Sequence, residues 1–157
     1  MSEQAFIALG SNLNGPREQV ERAVAAIAAL PSCTLMSVSP FYETAPMGYA
    51  EQDPFINAVV MIETTLEPLT LLHHLQEVEK KQGRVRDFKN GPRTIDCDLV
   101  LFGTCVLNLP ELILPHPGLV SRDFVLRPLL DIAPDATFPD GRLLRDALNQ
   151  VSETFVF

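Results

Sequence analysis

The chain has 157 residues, 46% of them hydrophobic and 20% charged, which is typical of a single folded domain and excludes a disordered chain. Its formal net charge of −8 excludes broad, non-specific binding to nucleic acids or anionic membranes, because such binding needs a basic surface. Three cysteines without a CxxC pair, no secretory pattern in the first residues and no apolar run of membrane-spanning length predict a cytoplasmic protein without disulfides.

The first 43 residues predict a strand, a helix and a second strand. Residues 5–9 form a short apolar run that is typical of a buried strand. Pro16 stands where the first turn of a helix tolerates proline, and apolar residues recur at helical spacing as far as Leu30. Residues 34–43 then alternate between apolar and polar, which predicts a strand in which Pro40 marks an edge or a bulge.

Residues 55–102 predict a strand, a helix and a final strand. An apolar, β-branched run indicates a strand over 55–64, and Pro68 opens a helix whose apolar stripe ends before Gly83, a suitable C-terminal cap. A further strand is predicted over 95–102. The resulting order β-α-β-β-α-β predicts an α+β, ferredoxin-like core, in which both helices pack on one face of a mainly antiparallel sheet.

The sequence beyond residue 102 predicts an irregular and helical C-terminal extension. Ser121 is a candidate N-cap for a short helix that Pro128 would break, and a final helical stretch is predicted over 142–149. The chain contains no internal repeat and no linker-like segment. We therefore expect one domain over residues 1–157.

Basic residues are concentrated in one short segment. Six of the twelve lysines and arginines lie within residues 80–93, where Asp87 is the only acidic residue. Such a cluster is often a solvated helix end and loop, but it is also suited to bind a compact polyanion. The residues that follow the cluster favour the second interpretation.

Asp96 and Asp98 are the most specific chemical feature of the sequence. Because alternate residues of a strand project to one face, both carboxylates are predicted to point the same way. A pair of solvated aspartates at a strand end is the simpler interpretation of this pattern alone. With Arg93 three residues upstream, however, the pair matches the combination of Mg²⁺ ligands and phosphate-binding groups that phosphoryl transfer needs.

Two other segments are candidates for phosphate binding. Residues 10–15 follow a strand and precede a helix as a P-loop does, but Pro16 and Arg17 stand where that motif requires lysine and a hydroxyl residue. We interpret the segment as a tight turn. His116, which lies between two prolines and is followed by Arg122, is a candidate phosphate donor.

Residues 89–100, with the sequence KNGPRTIDCDLV, resemble the signature of the 6-hydroxymethyl-7,8-dihydropterin pyrophosphokinase family. Further segments that are similar to the family extend along nearly the whole chain: residues 8–13, 39–44, 55–58, 82–86, 114–116 and 122–126. The resemblance implies an α+β enzyme of folate biosynthesis. Such an enzyme transfers the diphosphate of ATP to the hydroxymethyl group of the pterin and releases AMP.

The resemblance also implies roles for individual residues. Asp96 and Asp98 would hold two Mg²⁺ ions that bridge the ATP phosphates, and Asp96 would also face the pterin hydroxyl. Arg84 and Arg93 would engage the triphosphate and complete the catalytic set. The ATP-binding positions of the family correspond to Gln76, Glu79, Arg84, Arg86, Arg93, Leu99, His116 and Arg122. Its pterin-binding positions correspond to Thr44, Ala45, Met47, Gly48, Phe55, Asn57, Asp96 and Phe124, with Phe55 and Phe124 stacking on the ring.

Two functions of other classes stay open from the residues alone. A non-catalytic ferredoxin-like module could bind RNA, although it would need a basic surface and exposed aromatic residues on the sheet. A metal-dependent phosphodiesterase would use Asp96 and Asp98 with water as the nucleophile. For the pyrophosphokinase we expect ATP and the pterin as small-molecule partners, no nucleic-acid or membrane partner, and a monomer.

Overall fold

One antiparallel sheet forms the centre of the computed structural model, which describes residues 2–46, 52–83, 94–152 and 154–157. Its strands are β1 (Glu3–Ser11), β2 (Cys33–Val38), β3 (Tyr42–Thr44), β4 (Phe55–Thr64) and β5 (Asp96–Phe102). They are ordered β2-β4-β1-β5, and β3 also pairs with β4. Every neighbouring pair is antiparallel. The predicted α+β, ferredoxin-like core is confirmed.

Two helices cover one face of this sheet. They are α1 (Pro16–Ala28) and α2 (Pro68–Lys81), and each begins at the proline that predicted it. Their buried residues, such as Val20 and Leu71, pack against alternate residues of β1, β4 and β5 in one apolar core. Gly83 has a φ of 82° and donates its N–H to the carbonyl three residues earlier, so it ends α2 as predicted.

The C-terminal extension covers the other face of the sheet. Helices α3 (Asp123–Ile132) and α4 (Leu144–Asn149) pack there in a second apolar core that includes Phe6, Val59 and Leu126. A small hairpin of β6 (Leu107–Asn108) and β7 (Ile113–Leu114) precedes them, and its second strand contacts β5. The helices of the described residues all lack the length and apolar character that crossing a membrane requires.

The strand predicted over residues 34–43 is wrong as a single element, because it forms two strands, β2 and β3. Pro40 has no N–H to donate to a strand ladder. Immediately before it, Ser39 is buried and its Oγ accepts a hydrogen bond from the Val59 N–H at 2.9 Å. The Ser39 N–H still donates to the Val59 carbonyl at 2.9 Å, the regular pairing is interrupted at Pro40, and it resumes at Tyr42, opposite Asn57.

The prediction for the helix near residue 121 is also wrong at both ends. The helix begins at Asp123, without a side-chain cap from Ser121, and it continues through Pro128 to Ile132. A proline inside a helix removes one backbone hydrogen bond. Pro128 is nevertheless buried within the helix, next to Leu129, which packs in the second core.

One smaller prediction, the turn before α1, is confirmed. Residues 10–15 end β1 and form a turn, in which Asn14 and Gly15 adopt positive φ angles of 55° and 73° before α1 begins. The three cysteines are all free thiols.

Candidate functional site

Asp96 and Asp98 project from β5 into one pocket on the face of the sheet that α1 and α2 leave uncovered. The strand alternates as the sequence predicts: Cys97 and Leu99 are buried in the core with α1 and α2, whereas the two aspartates are partly buried and line the pocket. Downstream of them β5 is fully buried, so the carboxylates lie at the end of an apolar strand.

A buried carboxylate fixes the backbone between these two aspartates. Glu79 of α2 is only 7% exposed, and its Oε2 accepts a hydrogen bond from the Cys97 N–H at 2.7 Å. Glu79 therefore couples α2 to the part of β5 that carries the aspartates.

Three strands meet beside the aspartates at Gly10, Asn57 and Thr44. Asn57 is paired with Gly10 of β1 on one side and with Tyr42 of β3 on the other. Its Nδ2 donates to Thr44 Oγ1 at 2.5 Å, and both residues are buried. A Cβ atom on residue 10 would lie 2.6 Å from Asn57 Oδ1, so the observed position of the amide requires glycine there.

The opposite wall of the pocket comes from the C-terminal extension, with His116 in the segment before α3. The Gly118 N–H donates to His116 Nδ1 at 2.9 Å, which places the proton of a neutral imidazole on Nε2. Burial and, to a smaller extent, the positive charge of Arg122 lower the pKa of His116 below its usual value. At neutral pH His116 is therefore an uncharged group that can donate one hydrogen bond.

Aromatic side chains enter the pocket from two directions. Phe55 begins β4, and Phe124 lies in the first turn of α3. The guanidinium carbon of Arg122 lies 6.0 Å from the centre of the Phe124 ring. Phe155 packs edge-on against the same ring, with 5.5 Å between ring centres and an angle of 87° between ring planes. A flat heteroaromatic ligand would find stacking partners here.

The structure brings most of the predicted site residues together. The pocket is lined by Thr44, Ala45, Phe55, Asn57, Asp96, Asp98, His116, Arg122 and Phe124. Of the other predicted residues, Gln76 is exposed on α2, Glu79 contacts the backbone of β5, and Leu99 is buried in the core. Met47, Gly48, Arg84, Arg86 and Arg93 lie outside the described residues, as does most of the basic cluster.

Sequence reasoning missed two residues that shape the pocket. Gly10 lies in the segment that the sequence predicts as a tight turn, although a glycine at the end of a strand often marks a close approach of another group. Phe155 carries no local signal, because its contact with Phe124 depends on where the end of the chain packs.

The donor set of the pocket suits Mg²⁺ bound together with a phosphate compound. Within the part of the chain that the structure describes, no three His, Cys, Asp or Glu residues form a metal-binding group. Mg²⁺ usually takes one or two protein carboxylates, several waters and substrate phosphates rather than a complete protein cage. Asp96 and Asp98 provide two such carboxylates in one pocket.

Comparison with known proteins gives consistent matches. A family model described as 7,8-dihydro-6-hydroxymethylpterin-pyrophosphokinase matches residues 6–134. A Pseudomonas aeruginosa protein named 2-amino-4-hydroxy-6-hydroxymethyldihydropteridine pyrophosphokinase is 49% identical over 148 residues, which cover 94% of this chain and 91% of the relative. A Haemophilus influenzae protein of the same name is 42% identical over 149 residues, which cover 95% of this chain and 93% of the relative.

Solved structures share the fold over nearly the whole chain. A crystal structure of HPPK-DHPS from Plasmodium falciparum superposes with a TM-score of 0.75 at 14% sequence identity, covering 96% of this chain and 41% of that chain. At this level of identity the match concerns the fold alone.

Proposed function

We propose that this chain, which belongs to the 7,8-dihydro-6-hydroxymethylpterin-pyrophosphokinase family, has its active site in the pocket between β5, β4 and the C-terminal extension. As a pyrophosphokinase of folate biosynthesis, the protein transfers the diphosphate of ATP to the hydroxymethyl group of 6-hydroxymethyl-7,8-dihydropterin. The observation that carries the site assignment is that Asp96 and Asp98 share one pocket with Asn57, His116 and Phe124.

The pterin binds in the half of the pocket that contains the aromatic residues. Phe55 and Phe124 offer aromatic rings for stacking against the flat pterin. Asn57 offers both a donor and an acceptor to the edge of the heterocycle, and its hydrogen bond to Thr44 restrains the amide. Ala45 lines the same region, and Met47 and Gly48, outside the described residues, complete the proposed pterin set.

The triphosphate of ATP binds in the polar half of the pocket. Asp96 and Asp98 would hold the proposed pair of Mg²⁺ ions, which would neutralise negative charge on the phosphates. His116 Nε2 and the guanidinium of Arg122 donate hydrogen bonds to phosphate oxygens. Arg84, Arg86 and Arg93, in the basic segment of the sequence, add positive charge, and Gln76, Glu79 and Leu99 remain proposed ATP-binding positions.

Catalysis in this site is a matter of positioning and charge neutralisation. The pterin hydroxymethyl oxygen attacks the β-phosphorus of ATP, while the bond from that phosphorus to the oxygen shared with the α-phosphate breaks and AMP leaves. Asp96 faces the hydroxyl, and the proton that the hydroxyl loses is released to the solvent. The arginines oppose the charge that develops on the transferred group, and the pocket walls exclude competing water.

The test follows AMP release from Mg²⁺–ATP with and without the pterin. AMP release that depends on the pterin supports the transferase, whereas hydrolysis without the pterin supports a phosphodiesterase. No AMP release under either condition would contradict both assignments. Asp98→Asn should abolish the reaction, and Asp146→Asn, which changes an exposed aspartate of α4, is the matched control.

We also propose that residues 1–157 form one pyrophosphokinase domain that acts as a cytoplasmic monomer. The family model covers residues 6–134, and α4, beyond it, packs in the same second core as α3. Three free thiols are consistent with a reducing compartment. Light scattering of the purified chain tests the monomer, and a mobility shift with random RNA at moderate salt tests the absence of nucleic-acid binding.

A further inference from the structure

We propose that the C-terminal tail, residues 154–157, shapes the pterin end of the pocket, and that Asp123 and Phe155 are its positioning residues. They hold Phe124 on one side and β3 on the other. The proposal rests on the proposed function, because it concerns the pterin end of the same pocket.

Asp123 attaches the tail to the start of α3. Its side chain is only 1% exposed, and both carboxylate oxygens accept hydrogen bonds from the Phe155 N–H at 3.1 Å. One of these oxygens also accepts from the Val156 N–H at 3.2 Å. Because Phe124 is the next residue of the helix, the tail is fixed directly beside a residue that lines the pocket.

The same tail residues continue the sheet beside β3. The Ala45 N–H donates to the Phe155 carbonyl at 2.7 Å, and the Phe157 N–H donates to the Glu43 carbonyl at 3.2 Å. Thr44 and Val156 form the antiparallel bridge between these bonds. The tail therefore joins α3 to the strand whose Thr44 holds the Asn57 amide.

The Phe155 side chain restrains the ring of Phe124. The two rings meet edge-to-face, with 5.5 Å between their centres. Aromatic pairs of this geometry attract each other and disfavour other ring orientations. A ring that is already oriented loses less freedom when a ligand stacks on it, so Phe155 should strengthen pterin binding without contacting the reacting atoms.

The tail also contains its own control residue. The Phe157 side chain is 72% exposed, whereas Phe155 is partly buried against Phe124. Phe155→Ala and Phe157→Ala remove the same chemical group two residues apart. A general effect of weakening the tail would appear in both variants, but a positioning effect would appear only in the first.

The experiment measures pterin affinity by the fluorescence of 6-hydroxymethyl-7,8-dihydropterin, with a non-cleavable ATP analogue and Mg²⁺ present. Phe155→Ala should raise the pterin Kd and KM by about two- to tenfold, as expected for the loss of one aromatic pair. The KM for ATP and kcat should each stay within about twofold of the wild type. Phe157→Ala should match the wild type in all of these quantities.

Asp123→Ala should raise the pterin KM at least as much as Phe155→Ala, because it releases the tail backbone. Asp123→Asn keeps one acceptor oxygen and should give a smaller rise. In the double variant Asp123→Asn with Phe155→Ala, the pterin KM should rise by less than the product of the two single rises, since both substitutions act through the same tail. Circular dichroism identifies any variant that fails to fold. If an Asp123 variant does not fold, the comparison of Phe155→Ala with Phe157→Ala alone tests the proposal.

Equal pterin affinity in the wild type, Phe155→Ala and Phe157→Ala would overturn the inference. An equal loss in both phenylalanine variants, or a loss in kcat and ATP affinity of the same size, would also overturn it. If the wild type itself binds no pterin, the proposed function fails instead. The two failures are therefore distinguishable in one set of titrations.

Discussion

The two faces of the sheet are built from the same strands but differ in what they contain. Toward α1 and α2, β4 presents Ala58 and Val60 and β5 presents Leu99, all buried in a continuous apolar core. Toward the pocket, the same two strands present Asn57, Asp96 and Asp98, beside the second apolar core that they share with the C-terminal extension. The first face should therefore control stability, and the second should control binding and chemistry.

Removing a pocket carboxylate should give the largest effect and should leave the helix face intact. We expect Asp98→Ala to lower kcat by about 10²- to 10³-fold or more, the scale of a lost electrostatic contact in a transition state. Its thermal unfolding should resemble that of the wild type, because Asp98 lies outside the apolar core. Activity close to wild type in this variant would remove Asp98 from the proposed metal and catalytic set.

A truncation on the helix face should have the opposite profile. Leu75 of α2 is fully buried, so Leu75→Ala should lower the free energy of unfolding by about 2–5 kcal/mol. At a temperature where the variant is folded, its kcat and both KM values should equal those of the wild type. Urea unfolding combined with steady-state kinetics checks this. A selective loss of kcat would contradict the conclusion that the helix face controls stability and the pocket face controls binding and chemistry.

A substitution at Gly10 tests whether pterin affinity depends on the position of the Asn57 amide. Gly10→Ala places a Cβ atom 2.6 Å from Asn57 Oδ1, so the amide must move and pterin affinity should fall about tenfold, the scale of one displaced hydrogen bond. Asn57→Ala removes the group that the new methyl would meet. In that background Gly10→Ala should have little further effect, and two fully additive losses would mean that the glycine acts by another route.

Periodicity was sufficient to predict the helix face. Apolar residues at helical spacing from Val20 to Leu30 and a long β-branched run over 55–64 specified elements whose burial the structure confirms. The same alternation placed Asp96 and Asp98 on one face, because the geometry of an extended strand leaves no other choice. Family resemblance, rather than periodicity, predicted Thr44, Ala45, Phe55, Asn57 and Phe124, which also line the pocket.

The local sequence marked His116 as a candidate, but the packing of the C-terminal wall against the pocket could not be derived from local patterns. His116 and Arg122 reach the pocket because an irregular segment packs across the sheet, and no spacing in the sequence encodes that contact. The sequence predicts that Pro128 breaks the helix, yet Pro128 is buried inside α3, which continues to Ile132 although a proline there removes one backbone hydrogen bond. The predictions for Arg84, Arg86 and Arg93 concern residues outside the described ones and remain predictions.

The smallest expected effect concerns the protonation of His116. Its pKa in the folded protein lies below the usual value of 6.5, mainly because of burial and secondly because of Arg122. The unfolded chain therefore binds the proton more tightly, so the stability that neutral His116 contributes is present above that value and is lost as the pH falls toward the folded pKa.

Arg122→Ala should raise the His116 pKa but leave it below 6.5, since burial remains. An NMR titration of the His116 ring protons measures this shift, with Arg127→Ala, an exposed position of α3, as the control. An unchanged His116 pKa in Arg122→Ala would mean that the charge of Arg122 does not influence His116. It would also weaken the proposal that both residues bind the same phosphate.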